Sequence, residues 1–225
     1  RASILICACE AIRRDCARSR RYPSYRLGDD PITIGLWIGG SHTPNRRTGN
    51  DSAQYHQREL CAATARGLRE AKNKHNKFQI LKCPWCGTKI EKETDASGNG
   101  LVGQWGYRFR DNHFYLCCTQ EGCLFEKSLP IQVVDEELYV HPPTLLFGTV
   151  DKFAMLAWKN DPGSFFGGGT RNRAPELIIQ DELHLISGPL GTIVGLYETA
   201  IDALCSSKGI RPKIIASTAT IRRAK

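Results

Sequence analysis

Apolar residues recur three or four positions apart in several stretches of the chain, which is the spacing of an amphipathic helix. The first stretch is 3–18, where Leu5, Cys9, Ile12 and Cys16 share one predicted helical face. The same pattern predicts helices at 53–72, 151–158 and 190–206. Segments rich in Gly, Pro and polar residues predict loops at 19–30, 41–52 and 160–175.

Short apolar runs predict the strands of a parallel sheet. Residues 177–180 and 213–217 are compact apolar runs on either side of the helix predicted at 190–206. Because parallel strands need a crossover connection, this order of strand, helix and strand predicts a parallel sheet with helices on its faces. Further strands are predicted at 31–38, 131–134 and 144–148. The predicted fold class is therefore α/β.

Composition and charge narrow the possible functions. The chain has 41% hydrophobic and 24% charged residues, so it can bury a core as soluble globular proteins do. No run of about 18 apolar residues occurs, and we expect no membrane-spanning segment. The net charge of +8 arises in residues 1–80, which hold 15 Lys and Arg against 7 Asp and Glu. Such a region attracts phosphate backbones, but it is equally compatible with a solvated basic surface that binds nothing.

Five of the ten cysteines cluster between residues 83 and 123. Cys83 and Cys86 form a C-x-x-C pair, and Cys118 and Cys123 form a second pair about thirty residues later. Four thiolates in tetrahedral geometry hold a structural Zn²⁺, and a small module with little core needs such a staple. We expect these four to be the zinc ligands, and Cys117 is the alternative to Cys118.

The pattern of cysteines also has alternatives to a zinc site. A thioredoxin-like redox pair would need only one C-x-x-C and normally follows a strand of a βαβ unit. The cysteine usage favours a reducing compartment, and hence a cytoplasmic protein, over a secreted disulfide framework. The cysteines outside the cluster are predicted to be buried thiols: Cys7, Cys9, Cys16, Cys61 and Cys205.

Two carboxylates, Asp181 and Glu182, directly follow the apolar run 177–180. In open α/β sheets, ligands bind at the carboxyl ends of the strands. Asp181 can hold Mg²⁺ beside nucleotide phosphates, and Glu182 can orient or deprotonate an attacking water. His184 can then sense the γ-phosphate of a bound nucleotide.

The next predicted strand ends in hydroxyl-bearing residues that can bond to these acids or to His184. They are Ser217, Thr218 and Thr220. The alternative for the two acids is an acidic helix N-cap that the helix dipole favours. A zinc protease is excluded, because its H-E-x-x-H motif requires two His and one His lies here.

The D-E-L-H sequence at 181–184 and the S-T-A-T sequence at 217–220 resemble motifs II and III of superfamily 2 helicases. Longer segments are similar to the helicase subunit of the DISARM anti-phage defence system. The likeness covers most of the chain, including the cysteine cluster, and the box at 180–192 is its specific part. The segments are 35–40, 149–154, 180–192 and 216–224.

This resemblance implies a RecA-like motor domain that binds ATP and Mg²⁺. It also implies movement on nucleic acid, here DNA, beside other subunits of a defence system. Residues 1–77 and 131–225 would form a partial RecA-like parallel sheet with flanking helices, and 78–130 would be an inserted zinc-ribbon-like module. Thr149 would contact the nucleic-acid backbone as motif Ib does, and Lys152 would contact its phosphates.

The chain departs from that superfamily at the phosphate-binding loop, because no G-K-S or G-K-T sequence occurs. Motif Ia and the second motor domain are missing as well. We therefore expect a part of a longer helicase that does not hydrolyse ATP by itself. The alternative is a non-catalytic, zinc-stabilised module that binds nucleic acid.

Overall fold

The computed structural model describes residues 1–18, 27–47, 78–90, 106–169, 172–182, 189–207, 209 and 211–218. The chain forms two compact units, residues 1–149 and 150–225. The helix predicted at 53–72 and Cys61 lie outside the described residues. The finer division of the chain at residues 77 and 130 stays a prediction.

The first unit combines one long helix, a parallel sheet and a hairpin. Its elements are α1 (Ala2–Arg18), β1 (Ile34–Trp37), β2 (Tyr107–Arg110), β3 (His113–Leu116), β4 (Ile131–Gln132), α2 (Asp135–Val140) and β5 (Leu145–Gly148). The parallel sheet has the order β4-β1-β5, and Ile34 lies opposite both Ile131 and Leu145. Strands β2 and β3 form the antiparallel hairpin.

Helix α2 is not predicted by the apolar pattern. Its first turn holds Asp135, Glu136 and Glu137, whose negative charges interact favourably with the positive end of the helix dipole. Pro142 and Pro143 follow shortly after it, and proline cannot continue a helix. Because α2 has only 6 residues, it is too short to show the periodicity that reveals a longer helix.

One apolar core joins α1, the parallel sheet and the cysteine-bearing segment. Ile6 and Cys7 of α1 belong to the same buried cluster as Phe78, Tyr107 and Phe114. The ring centroid of Phe78 lies 4.6 Å from that of Phe114 and 4.7 Å from that of Tyr107. The segments around the two cysteine pairs therefore share a core with α1.

The buried face of α1 differs from the predicted one. Leu5 is 67% exposed and Ile12 is 56% exposed, and Cys9 is exposed as well, so the prediction of a buried Cys9 was wrong. The buried face instead contains Glu10, which is a charged residue that the apolar pattern assigns to solvent. Cys7 and Cys205 are fully buried, as predicted.

Glu10 is tolerated in the core because its carboxylate accepts four hydrogen bonds from three residues. Arg13 donates from Nε at 2.7 Å and from Nη2 at 2.8 Å, Arg14 donates from Nε at 2.8 Å, and the backbone N–H of Ile32 donates at 2.9 Å. Arg14 also donates to the carbonyl of Leu124 at 3.2 Å. Burial by itself raises the pKa of Glu10, but the bonds from Arg13, Ile32 and Arg14 outweigh it and lower that pKa to about 2.

The second unit begins with short helices. Helix α3 (Val150–Phe153) is followed by two 3₁₀ helices, Ala154–Ala157 and Asp161–Phe166. The latter lies inside the segment predicted as a loop, and it ends where Gly167 adopts a left-handed conformation with φ of 75°. This 3₁₀ helix has only 6 residues, which are too few to show the apolar periodicity by which a longer helix is predicted.

A parallel strand pair and its crossover helix complete the second unit. They are β6 (Leu177–Gln180), α4 (Pro189–Ser206) and β7 (Lys213–Ala216), and Gln180 lies opposite Ala216. The predicted parallel arrangement is confirmed for this pair, whereas the RecA-like fold remains a prediction. No helix within the described residues is long and apolar enough to cross a membrane.

We expect Glu10→Gln to lower the free energy of unfolding by about 3 kcal/mol at neutral pH, because it leaves two partly buried guanidinium groups without their carboxylate. A lowered folded-state pKa stabilises the protein above the unfolded value of 4.5 and stops doing so as pH falls toward about 2. The difference between wild type and variant, measured by urea denaturation, should therefore shrink over that pH range.

Asp15→Asn is the matched control, since Asp15 is an exposed carboxylate on the same helix. Its unfolding free energy should stay within about 0.5 kcal/mol of wild type. If both substitutions lowered the free energy of unfolding equally, this would contradict the assignment of Glu10 as the carboxylate that stabilises the packing of α1.

Candidate functional site

The first cysteine pair lies in a tight turn. The backbone N–H of Cys83 donates to the carbonyl of Thr88 at 2.8 Å, and the N–H of Gly87 donates to the carbonyl of Cys83 at 2.9 Å. Gly87 has φ of 77°, a left-handed conformation that glycine adopts without steric cost. The C-P-W-C-G sequence at 83–87 therefore forms a turn that brings the sulfur atoms of Cys83 and Cys86 close together.

The second pair is built in a similar way from a longer loop. The N–H of Cys118 donates to the carbonyl of Phe125 at 2.9 Å, and the N–H of Cys123 donates to the carbonyl of Gln120 at 3.2 Å. Gly122, just before Cys123, again has a positive φ, of 75°. Both loops thus place a left-handed glycine next to a cysteine.

The sulfur atoms of Cys83, Cys86, Cys118 and Cys123 all lie within 4.8 Å of one another. Tetrahedral coordination with Zn–S bonds of about 2.3 Å requires sulfur atoms roughly 3.8 Å apart. The distance between the Sγ atoms of Cys86 and Cys118 is 3.4 Å, close to that value. The donor set fits a metal such as zinc. The neighbouring Cys117 is buried but is not part of this group.

The electrostatics of the group favour one thiolate among neighbouring thiols. Burial raises the pKa of Cys83 and of Cys118. Burial opposes ionisation of Cys86 too, but hydrogen bonds with Thr88, Cys118 and Cys83 outweigh it and lower the pKa of Cys86 to about 6. Because thiolates are the metal-binding form, cation affinity at this group should fall as pH falls.

Thr88 contacts the cysteine group, and the cysteine spacing alone does not indicate this contact. Its Oγ1 lies 3.4 Å from Cys86 Sγ, and its carbonyl closes the first turn. In the sequence, the feature that could indicate this contact is the position of Thr88, two residues after the second cysteine of a C-x-x-C pair.

The two predicted acids lie at the carboxyl end of the β6–β7 pair. Asp181 and Glu182 follow β6 directly, and both are exposed. Glu182 has φ of 55°, which is uncommon for any residue but glycine, and its N–H donates to Asp181 Oδ1 at 3.0 Å. The N–H of Ser217 donates to the carbonyl of Gln180 at 2.7 Å. The acids and Ser217 therefore follow directly opposed positions of adjacent strands.

The structure brings only some of the remaining predicted site residues to the ends of β6 and β7. Thr218 is exposed and follows Ser217, whereas His184 and Thr220 lie outside the described residues. Thr149 is exposed at the end of β5, where its N–H donates to the carbonyl of Trp37 at 3.3 Å. Lys152 is only 4% exposed, so its predicted contact with phosphate stays a prediction that its burial does not favour.

One side chain supports the β6 end of this edge from the crossover helix. Glu198 of α4 accepts a hydrogen bond from the Gln180 amide at 2.7 Å. Gln180 is the last residue of β6, directly before Asp181. This bond links α4 to the strand end that carries the acids, and the sequence pattern gives no sign of it.

The chain is 32% identical to a protein described as DISARM protein DrmA, from Bacillus paralicheniformis, over an alignment of 257 residues. The alignment covers 98% of this chain and 21% of that protein, so the chain spans about a fifth of the length of the curated relative it matches. No family model matches the chain. The similarity relates nearly the whole chain to a DISARM protein.

We expect the chain to bind one Zn²⁺. Cys118→Ser should weaken zinc binding by more than roughly 100-fold, because removing a residue that only hydrogen-bonds to a ligand already lowers metal affinity about 10- to 100-fold. Cys83→Ser should behave in the same way. Competition with a chromophoric chelator measures the affinity.

Cys117→Ser is the matched control, since it changes an adjacent buried thiol that lies outside the group. It should keep the wild-type zinc affinity. Loss of zinc in the Cys117 variant, with zinc retained in the Cys118 variant, would reverse the ligand assignment.

Proposed function

We propose that this chain is part of the first motor domain of an ATP-dependent helicase or translocase that acts on DNA in anti-phage defence. The similarity to DISARM protein DrmA over 98% of the chain supports the defence role. Because the chain spans about a fifth of that relative, the motor activity and the other defence subunits as partners are proposals about the whole protein.

The observation that carries the motor proposal is the pairing of two strand ends. Asp181 and Glu182 follow β6, Ser217 and Thr218 follow β7, and the two strands are parallel and in register up to Gln180 and Ala216. Ligands of open α/β sheets bind at this end of the strands. An acidic helix N-cap would account for the acids but not for hydroxyls at the adjacent strand end.

Each residue of this edge has a role in the proposal. Asp181 would hold Mg²⁺, which neutralises the charge of nucleotide phosphates when bound. Glu182 would accept the proton of the attacking water. Ser217 and Thr218 lie one strand away and would couple the state of the acids to movement, together with His184 and Thr220. Outside the edge, Thr149 would contact DNA, whereas the burial of Lys152 does not favour the contact predicted for it.

The left-handed backbone of Glu182 adds support for a functional edge. Such a conformation costs roughly 1–3 kcal/mol in a non-glycine residue and occurs often at catalytic or ligand-binding positions. Here it accompanies a hydrogen bond to the neighbouring carboxylate. The carboxylate that would bind the metal is thus tied to the backbone of the residue that would activate water.

A second candidate function is a non-catalytic, zinc-stabilised module that binds nucleic acid. The convergence of four cysteine sulfur atoms within 4.8 Å favours it independently of the acids. The two candidates differ in one measurable property, which is nucleic-acid-stimulated ATP hydrolysis by the full-length protein.

In the full-length protein, we expect Glu182→Gln to lower the rate of ATP hydrolysis by roughly 10²- to 10⁴-fold, since it removes the general base. Steady-state ATPase assays with and without single-stranded DNA measure this. Glu176→Gln is the control, because Glu176 precedes the opposite end of β6 and its side chain is 63% exposed. It should leave the rate near the wild-type value.

Two outcomes would contradict the motor proposal. One is a full-length protein whose ATPase rate does not respond to DNA, and the other is equal activity in the two variants. The 225-residue chain alone should not hydrolyse ATP, because it contains no phosphate-binding loop sequence.

A further inference from the structure

His113 lies on the solvent side of the β2–β3 hairpin. Side chains of a strand alternate between its two faces, and Phe114 and Leu116 of β3 are buried in the core. His113 and Tyr115 therefore project from the opposite face, where the side chain of His113 is 30% exposed. Their ring centroids lie 6.3 Å apart. His113 is not part of the four-cysteine group, whose members Cys83 and Cys118 belong to the core on the buried face.

A buried carboxylate holds the imidazole of His113 in one orientation. Glu137 of α2 has a side chain only 3% exposed, and its Oε2 lies 3.0 Å from His113 Nδ1. Its Oε1 accepts the backbone N–H of Phe114 at 2.8 Å and pairs with Arg47 Nε at 2.9 Å. An ionised carboxylate only accepts hydrogen bonds, so the Nδ1 atom of His113 carries a proton. In the neutral imidazole, the lone pair of Nε2 is then available for a ligand on the far side of the ring.

A second imidazole stands beside the first. His141 directly follows α2, one helical turn after Glu137, and its backbone N–H donates to the carbonyl of Glu137 at 2.9 Å. His141 is exposed, and its ring centroid lies 5.7 Å from that of His113. The same turn of α2 thus supplies both the carboxylate behind His113 and the imidazole beside it.

The spacing of the two rings suits two ligands of one metal ion. With metal–nitrogen bonds of about 2.0–2.1 Å, a ring centroid lies about 3.2 Å from the metal, and two imidazoles at a tetrahedral angle have centroids about 5.2 Å apart. A slightly wider angle gives the observed 5.7 Å. Metal-binding histidines almost always donate their other ring N–H to a carboxylate, a carbonyl or water. The bond from His113 to Glu137 is of this kind.

We propose that His113 and His141 bind a divalent transition-metal ion, and that Glu137 holds His113 in the tautomer that binds it. Imidazole suits ions such as Zn²⁺, Ni²⁺ and Cu²⁺, whereas Mg²⁺ and Ca²⁺ prefer oxygen ligands. Two protein ligands leave at least two positions of the ion for water or for an oxygen atom of a bound molecule. The site shares no residue with the cysteine group or with the strand ends of the proposed motor, so it goes beyond the proposed function and does not depend on it.

Ni²⁺ is the probe, titrated calorimetrically into the untagged 225-residue chain after one equivalent of Zn²⁺ has been added for the cysteine group. We expect one equivalent of Ni²⁺ to bind. His113→Ala and His141→Ala should each weaken this binding by more than roughly 10-fold, because loss of a residue that only hydrogen-bonds to a ligand already costs about 10- to 100-fold. His42→Ala changes another exposed histidine of the first unit and is the matched control, with wild-type affinity expected.

Long-range ¹H–¹⁵N spectra of the imidazole nitrogens test the tautomer and the ligands directly. Before a second metal equivalent is added, His113 should carry its proton on Nδ1. A second equivalent of Zn²⁺ should shift Nε2 of His113 and a ring nitrogen of His141, and it should leave His42 unchanged. Glu137→Gln should weaken Ni²⁺ binding roughly 10- to 100-fold, as expected for a positioning residue behind a metal ligand.

The thermal midpoint of every variant separates a lost ligand from a lost fold, and the exposed position of His141 makes its variant the cleaner test. The inference is overturned if His141→Ala binds Ni²⁺ like wild type, if it binds no more weakly than His42→Ala, or if neutral His113 carries its proton on Nε2. The imidazole signals report the histidine pair, and the tightly held first equivalent of Zn²⁺ reports the cysteine group. The two metal sites can therefore fail separately, and neither result bears on ATP hydrolysis by the full-length protein.

Discussion

The convergence of four cysteine sulfur atoms organises the part of the first unit that has the least regular structure. Residues 78–90 contain one isolated bridge and no helix or strand, so hydrogen-bonded elements alone do not fix their path. The two turns instead direct Cys83, Cys86, Cys118 and Cys123 to one point. A cation bound there would supply stabilisation that a small core cannot, and it would fix the positions of the side chains between its ligands.

A buried ion cluster connects this region to α1. Arg14 pairs with Glu10 at 2.8 Å and also reaches the carbonyl of Leu124, next to the ring of Phe125. The same ring supports Trp85 on another side. The helix, the second cysteine loop and the exposed indole are therefore linked through a few direct contacts, so a change at Glu10 should also affect the position of Trp85.

The features that could be predicted from the sequence are those with a fixed short-range pattern. The cysteine spacing predicted which four thiols come together, and the apolar runs predicted the parallel pair β6–β7. The buried face of α1 could not be predicted, because it depends on Arg13, Arg14 and Ile32 satisfying Glu10. These donors act together only after the chain has folded.

Other misses have different physical causes. Helix α2 and the 3₁₀ helix Asp161–Phe166 each have 6 residues, which is too few for a helical apolar pattern to stand out. The left-handed backbone at Glu182 has no signal in its residue type, because glutamate rarely adopts it. The bond between Gln180 and Glu198 depends on how α4 packs, which local sequence does not specify.

The register of the first sheet has a consequence for how the protein assembles. Ile34 pairs with Ile131, about a hundred residues further along, and closing so long a loop is entropically costly and slow. Both cysteine pairs lie inside that loop, so joining them shortens the free chain that must still be closed. A cation held by both cysteine pairs before the strands pair would therefore lower the entropic cost of closing the β4-β1-β5 sheet.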